Sequence, residues 1–186
     1  MNIMVVGVGG QGTLLTSRII GKTALAAGYD VKLSEVHGMA QRGGSVVTFV
    51  RFGERVYEPV VEEGEVDLLV SFERLEALRY AHYLKKGGVM IVNDTRIDPM
   101  TVVIGAKSYP EDIIERLSGE HTVYSVDGAA IAKELGNSKV LNTVVLGLAA
   151  KHIGFEEQDW LEVLGATVPP KTVEINTRAF KRGYEG

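Results

Sequence analysis

Apolar and polar positions alternate along this chain between short β-branched runs and longer runs at helical spacing. "NIMVVGV" (2–8) predicts a buried strand, and "TLLTSRIIGKTALAAG" (13–28) a helix closed by Gly28. "YDVKLSEV" (29–36) predicts a second strand, and "GMAQRGG" (38–44) interrupts the pattern as a loop. "SVVTFVRFG" and "RVYEPVV" then predict a hairpin between Ser45 and Val61, turning at Gly53-Glu54. "VDLLVSF" (66–72) is another buried strand. The helix "ERLEALRYAHYLKK" (73–86) follows, ended by Gly87-Gly88. "VMIVND" (89–94), "TVVIGA" (101–106) and "HTVYSV" (121–126) continue the strands, and "PEDIIERLSG" (110–119) is a helix led by Pro110. From Gly128 onward nearly every segment has helical spacing.

Strand–helix alternation of this kind predicts an α/β, Rossmann-like fold. The expected sheet is mostly parallel with helices on both faces, a β-hairpin insertion and a helical C-terminal third. No linker, repeat or low-complexity tract divides the chain, so residues 1–186 are expected to form a single domain.

Between the first strand and first helix lies "GVGGQGTLLTS", with four glycines in the six residues from Gly7 to Gly12. A glycine-rich turn at a helix N-terminus presents backbone N–H groups and partial positive charge, which suits an anion. The spacing Gly7-x-Gly9-x-x-Gly12 matches a dinucleotide fingerprint, and Glu35 lies 23 residues after Gly12, near the interval expected of a ribose-binding carboxylate. The same glycines would equally serve any close strand–helix junction. The triplet "GKT" at Gly21–Thr23 is not a phosphate-binding loop, because Thr16 stands where that loop needs glycine.

"SEVHGMAQRGGSV" (34–46) is the most unusual segment, packing His37, Gln41, Arg42 and Ser45 among three glycines. Ser34, Glu35 and His37 do not read as a catalytic triad, since adjacent strand residues point to opposite faces. A capping and docking loop is the plain alternative to a ligand-binding one. Glu73, Glu76 and Arg79 predict a solvated ion-pair face. Asn93-Asp94 ends a strand at the edge where open α/β sheets place ligands, and turn chemistry would also account for it. His82, His121 and His152 have no further ligands at metal spacing. Phe155, Trp160 and Leu161 are expected in core or interface.

Composition narrows the chemistry. With no cysteine in 186 residues, the chain offers no disulfide, no thiolate zinc site and no ligands for an iron–sulfur cluster. A net charge of −4 argues against a nucleic-acid partner. Apolar runs are too short to span a bilayer, and the chain opens directly on a strand pattern without a basic, apolar leader. A cytoplasmic protein without membrane contact is the expectation.

"GVGGQG", then "SEVHGMAQRGGSV", then "VDLLVSFERLEALR" together resemble the gamma-type subunits of the 2-oxoacid:ferredoxin oxidoreductases, and among them the indolepyruvate branch. The resemblance extends over essentially the whole chain, with both glycine motifs in the family's order. It implies a subunit of an enzyme in which thiamine diphosphate drives oxidative decarboxylation, coenzyme A takes the acyl group and iron–sulfur clusters pass electrons to ferredoxin. It implies further that this chain binds none of these cofactors alone. A larger thiamine- and cluster-bearing subunit would be its partner, ferredoxin would be reached through the complex, and the isolated chain could pair as a homodimer. The residues expected at a substrate-side or interface surface are Gly9, Gly10, Gln11, Gly12, His37, Gly38, Gln41, Arg42, Gly43, Gly44 and Ser45; no catalytic residue is assigned. Two readings stand beside this one: a stand-alone dinucleotide-binding oxidoreductase, and an assembly module without redox chemistry.

Overall fold

The computed structural model describes residues 1–37 and 44–186; Gly38–Gly43 and the His37 side chain lie outside the described residues. Among the described residues six strands form one sheet in the order β2-β3-β1-β4-β5-β6. They are β1 (Asn2–Val8), β2 (Asp30–His37), β3 (Ser45–Gly53), β4 (Val66–Ser71), β5 (Leu84–Asn93) and β6 (Thr122–Val126). β1, β4, β5 and β6 run parallel. β3 is antiparallel to both its neighbours, pairing Val5 with Thr48 on one side and Glu35 with Thr48 on the other. Thus, among the described strands, β3 alone opposes the common direction.

Among the described residues the helices are α1 (Thr13–Ala26), α2 (Arg74–Tyr80), α3 (Met100–Val103), α4 (Ile113–Glu120), α5 (Gly128–Glu134), α6 (Leu141–Ala150), α7 (Glu157–Thr167) and α8 (Val173–Glu185). Alternation along the central strands sends side chains to both faces. Ile3, Val5, Leu68 and Val70 pack against α1, α6, α7 and α8, where Trp160 and Phe180 are fully buried. Met4, Val6, Leu69 and Met90 pack against α2 and α4 through Ala77, Ile113 and Leu117. The doubly covered, mostly parallel sheet and the helical C-terminal third are as the sequence pattern predicts.

Three details differ. The expected hairpin from Ser45 to Val61 does not form, because "RVYEPVV" makes no strand. Its apolar residues share no face: Val61 is buried while Tyr57 and Val60 are exposed, and Pro59 brings no N–H to a ladder. The antiparallel partners of β3 are instead β1 and β2. Similarly, "TVVIGA" is not a strand; Pro99 caps α3 there, and Val103 and Ile104 stay exposed rather than lying on a pleated face. The helix after Glu73 stops at Tyr80, and Gly87-Gly88 lie within β5, at a register shift against β4, rather than ending a helix.

Candidate functional site

Because β1, β4, β5 and β6 are parallel, the turns after them gather at one edge of the sheet, the place open α/β sheets offer to ligands. The first glycine turn lies there. Gly10 adopts φ +101° and Gly12, the N-cap of α1, φ +86°, both in the left-handed region that glycine tolerates. A Cβ on Gly10 would meet nothing, whereas one on Gly12 would sit 3.0 Å from the Asn142 amide. Gly10 is therefore shaped by the turn, and Gly12 also by close packing against α6.

Gln11 is tied into the protein at both ends of its amide. Its Oε1 accepts the Val8 N–H at 2.7 Å and its Nε2 donates to the Phe72 carbonyl at 2.9 Å. The same Phe72 oxygen accepts Nδ2 of Asn93, whose Oδ1 accepts the Gly128 N–H at 3.0 Å. One chain of hydrogen bonds thus joins the turns after β1, β4, β5 and β6. Asn93, fully buried, works inside this chain rather than facing a ligand.

Gly9, Gly10, Gly12, Thr13, Leu14, Glu35 and Val46 line a cavity of about 490 Å³. At its floor, α1 begins with neither a side-chain cap nor an acidic residue in its first turn. The second glycine segment meets the first here: the Gly9 N–H donates to the Gly44 carbonyl at 2.8 Å. Ser45, next along, donates through Oγ to Glu76 Oε2 at 2.5 Å and lies 3.0 Å from the Tyr80 hydroxyl. Gly9, Gly10, Gly12, Gly44 and Ser45 are thus brought together, and Gln11 supports them from beneath. His37 ends β2 opposite Val46. Gly38, Gln41, Arg42 and Gly43 lie outside the described residues.

The solvated ion-pair face expected on α2 is overturned for both of its acids. Glu73 is 1% exposed and Glu76 5%, while Arg79 remains half exposed beside Glu76. Glu73 caps α2 by accepting the Glu76 N–H at 2.9 Å, and also accepts the Ile97 N–H and the Tyr109 hydroxyl. Burial first, and then the Glu73 carboxylate, raise the Tyr109 hydroxyl well above its ordinary value, so it remains a donor. The sequence signal for this capping role was available: an acid just after a buried strand and just before a helix.

Elsewhere, the His82 ring packs at a tilt against Tyr83, and that of His152 against Tyr124, where burial lowers its pKa. No group of three or more metal-ligating His, Asp or Glu side chains occurs among the described residues. Among them, too, no helix is long and apolar enough to cross a membrane.

The model of the pyruvate ferredoxin/flavodoxin oxidoreductase family matches residues 2–186. This chain belongs to that family. The indolepyruvate oxidoreductase subunit IorB of Thermococcus kodakarensis is 44% identical, the match covering 99% of this chain and 94% of that one. Its counterpart from Pyrococcus horikoshii is 43% identical over the same shares. Among solved structures, the gamma subunit of a keto/oxoacid ferredoxin oxidoreductase from Geobacter sulfurreducens superposes with a TM-score of 0.73 at 24% identity, covering 99% of this chain and 96% of that one. The fold is the one seen in that gamma subunit, and the chain is a subunit of the 2-oxoacid:ferredoxin oxidoreductase type. Within this family frame the dinucleotide fingerprint takes on a different meaning. β3 separates β2 from β1, so Glu35 approaches the glycine turn from two strands away. NAD and NADP are therefore expected to give no saturable signal in calorimetric titration of the purified chain. Micromolar binding would restore the dinucleotide reading.

Proposed function

We propose that this chain is the small subunit of an indolepyruvate-type oxidoreductase, acting on an arylpyruvate with coenzyme A and ferredoxin. The identity of 40–44% to three IorB subunits, over 94% of their lengths, carries this reading. The donor set of the chain does not fit the redox cofactors. It has no thiolate for an iron–sulfur cluster and, among the described residues, no acidic cluster for a diphosphate-bound metal. A larger partner subunit then holds thiamine diphosphate and the clusters, and ferredoxin is reached through it. We take the chain as one domain of a cytoplasmic complex, with the carboxyl-edge turns facing partner or substrate.

The test is co-expression with a cysteine-rich thiamine-diphosphate subunit from the same genome. Ferredoxin reduction dependent on indolepyruvate and coenzyme A is expected from the pair. The purified chain alone, monomer or homodimer by gel filtration, should be colourless and inactive. Visible cluster absorption stoichiometric with the chain, or turnover by it alone, would overturn the reading. Arg42→Ala should leave the chain folded yet weaken assembly or turnover about 30-fold or more, the effect of truncating one partner of a buried charge pair.

A further inference from the structure

The segment that reads as a strand in "TVVIGA" displays its apolar side chains instead of packing them. Met100 is 70% exposed, Val103 66% and Ile104 68%. Spaced i, i+3 and i+4, they share one face of α3 and its C-cap. Val102, between them, packs against the core layer that contains Tyr109 and Leu117. Residues 100–106 carry no charge. A β-prone, uncharged run left bare in water is an aggregation hazard, and a contiguous exposed apolar patch marks an interaction site.

The exposure is built into the fold. Both ends of segment 97–109 are tied to one buried carboxylate: Glu73 accepts the Ile97 N–H at 3.1 Å and the Tyr109 hydroxyl at 2.5 Å. The Arg96 guanidinium lies 4.4 Å over the Tyr109 ring and closes the base of the segment. Further out, the Lys107 N–H donates to the Thr101 carbonyl at 3.0 Å. These ties hold α3 beside α2 with its apolar face outward.

Between the two helices lies a groove of about 490 Å³ with Leu75, Pro99, Met100 and Val102 among its walls. Among the described residues its charged lining is Arg79 and Lys107, both cationic. Glu76 meets Arg79 at 3.2 Å, whereas Lys107 meets no carboxylate among the described residues. Of the neighbouring acids, Asp98 pairs with Arg96, and Glu111 acts on the same guanidinium. The groove therefore has apolar walls and a positive rim, in a chain whose net charge is −4. A second copy docked across a two-fold would bring these cations toward their own equivalents, since an isologous contact sets one patch against itself. An apolar side chain flanked by carboxylates suits both the walls and the rim.

We infer that the exposed face of α3 and the groove beside it are the docking surface for the larger subunit, which seats there an apolar side chain flanked by carboxylates. The existence of that subunit rests on the proposed function; the place and the chemistry of the contact rest on Met100, Val103, Ile104 and Lys107.

The test compares the full chain with its co-purified complex. Ile104→Glu should raise the dissociation constant of the complex about 30-fold or more, the effect expected at the centre of an interface. The thermal midpoint of the chain itself should move by no more than about 2 °C, because the side chain is exposed. Ile104→Leu should bind as wild type does. Lys107→Glu should weaken the complex about 10-fold and flatten its salt dependence. The Val103 and Ile104 amides should exchange about 10-fold more slowly in the complex than in the chain alone. A wild-type complex indifferent to Ile104→Glu and Lys107→Glu, or unchanged exchange at those amides, would overturn the docking surface and leave the functional reading standing. A wild-type chain that forms no complex with the larger subunit would overturn the functional reading and this assignment with it. A homodimer of the isolated chain that Ile104→Glu breaks, seen by sedimentation, would give the face to a second copy and overturn the inference. If Ile104→Glu fails to fold, Lys107→Glu and the exchange measurement still decide.

Discussion

Gly183→Ala is expected to reduce unfolding free energy by about 3 kcal/mol or more, at or beyond the upper range for overpacking. A Cβ on Gly183 in α8 would stand 1.9 Å from the Val144 carbonyl oxygen of α6. The relation is reciprocal: a Cβ on Gly147 in α6 would stand 2.1 Å from the Phe180 carbonyl oxygen of α8. In both cases the obstacle is backbone, which cannot swing aside as a side chain can. The two helices would have to separate, opening the layer that buries Trp160 and Phe180. Helix propensity works in the opposite direction, favouring alanine over glycine by about 1 kcal/mol. A loss on substitution therefore isolates the packing effect. Gly119→Ala in α4 is the control, because a Cβ there meets nothing and φ lies in the ordinary helical range. It should gain about 0.4–1 kcal/mol. Urea denaturation of the three proteins checks the pair of signs, and a Gly183→Ala chain as stable as the parent would remove the close helix contact from the account.

The strands of the sheet interior were legible because burial on both faces leaves a run such as "IMVV" (3–6) nothing but apolar residues. The strand β3 was legible too; its place was not. Nothing in "SVVTFVRFG" says that it inserts between β1 and β2, since pairing order is set by the whole set of edges competing for partners. The segment "RVYEPVV" misled because β propensity describes fitness for a half-buried pleated surface, and with Tyr57 and Val60 exposed and Val61 buried its apolar residues share no such face. "TVVIGA" failed similarly, with Val103 and Ile104 left exposed. Gly147 and Gly183 gave no signal at all: each is one glycine within a helical pattern, and only the other helix explains it.

At the carboxyl edge, spacing located the glycine turns and the residues Gly9, Gly10, Gly12, Gly44 and Ser45 that meet there. What spacing could not provide is which polar groups are spent inside the protein. Gln11, Asn93 and Ser45 carry ligand-like chemistry in sequence, and each makes hydrogen bonds within the fold. Glu73 and Glu76 illustrate the reverse. Their helical spacing with Arg79 implies a solvent face, yet α2 is so short that its first turn is pressed between the sheet edge and the segment leading to α3.

That burial makes Glu73→Ala the second substitution of large expected effect. Three donors converge on one carboxylate: the Glu76 N–H at 2.9 Å, the Ile97 N–H at 3.1 Å and the Tyr109 hydroxyl at 2.5 Å. Removing the acceptor strands two buried donors and a third that is partly buried, at a cost of about 3 kcal/mol or more. Tyr109→Phe removes one donor and leaves the carboxylate its two backbone partners, so its cost should be nearer 1 kcal/mol. The double variant should be less destabilised than the sum, because once Glu73 is gone the phenol is a liability. Arg96, stacked 4.4 Å over the Tyr109 ring, loses little in the phenylalanine variant because the ring face remains. The pH dependence gives an independent reading. Tyr109 binds its proton more tightly folded than unfolded, so its contribution is complete below the ordinary value of 10.0 and declines as pH rises beyond it. The wild-type chain should therefore lose stability above pH 10 more steeply than Tyr109→Phe. Urea midpoints for wild type, both single variants and the double variant, at neutral and alkaline pH, measure all of this. Parallel alkaline slopes, or additive losses, would mean that Tyr109 and Glu73 do not act as a buried pair.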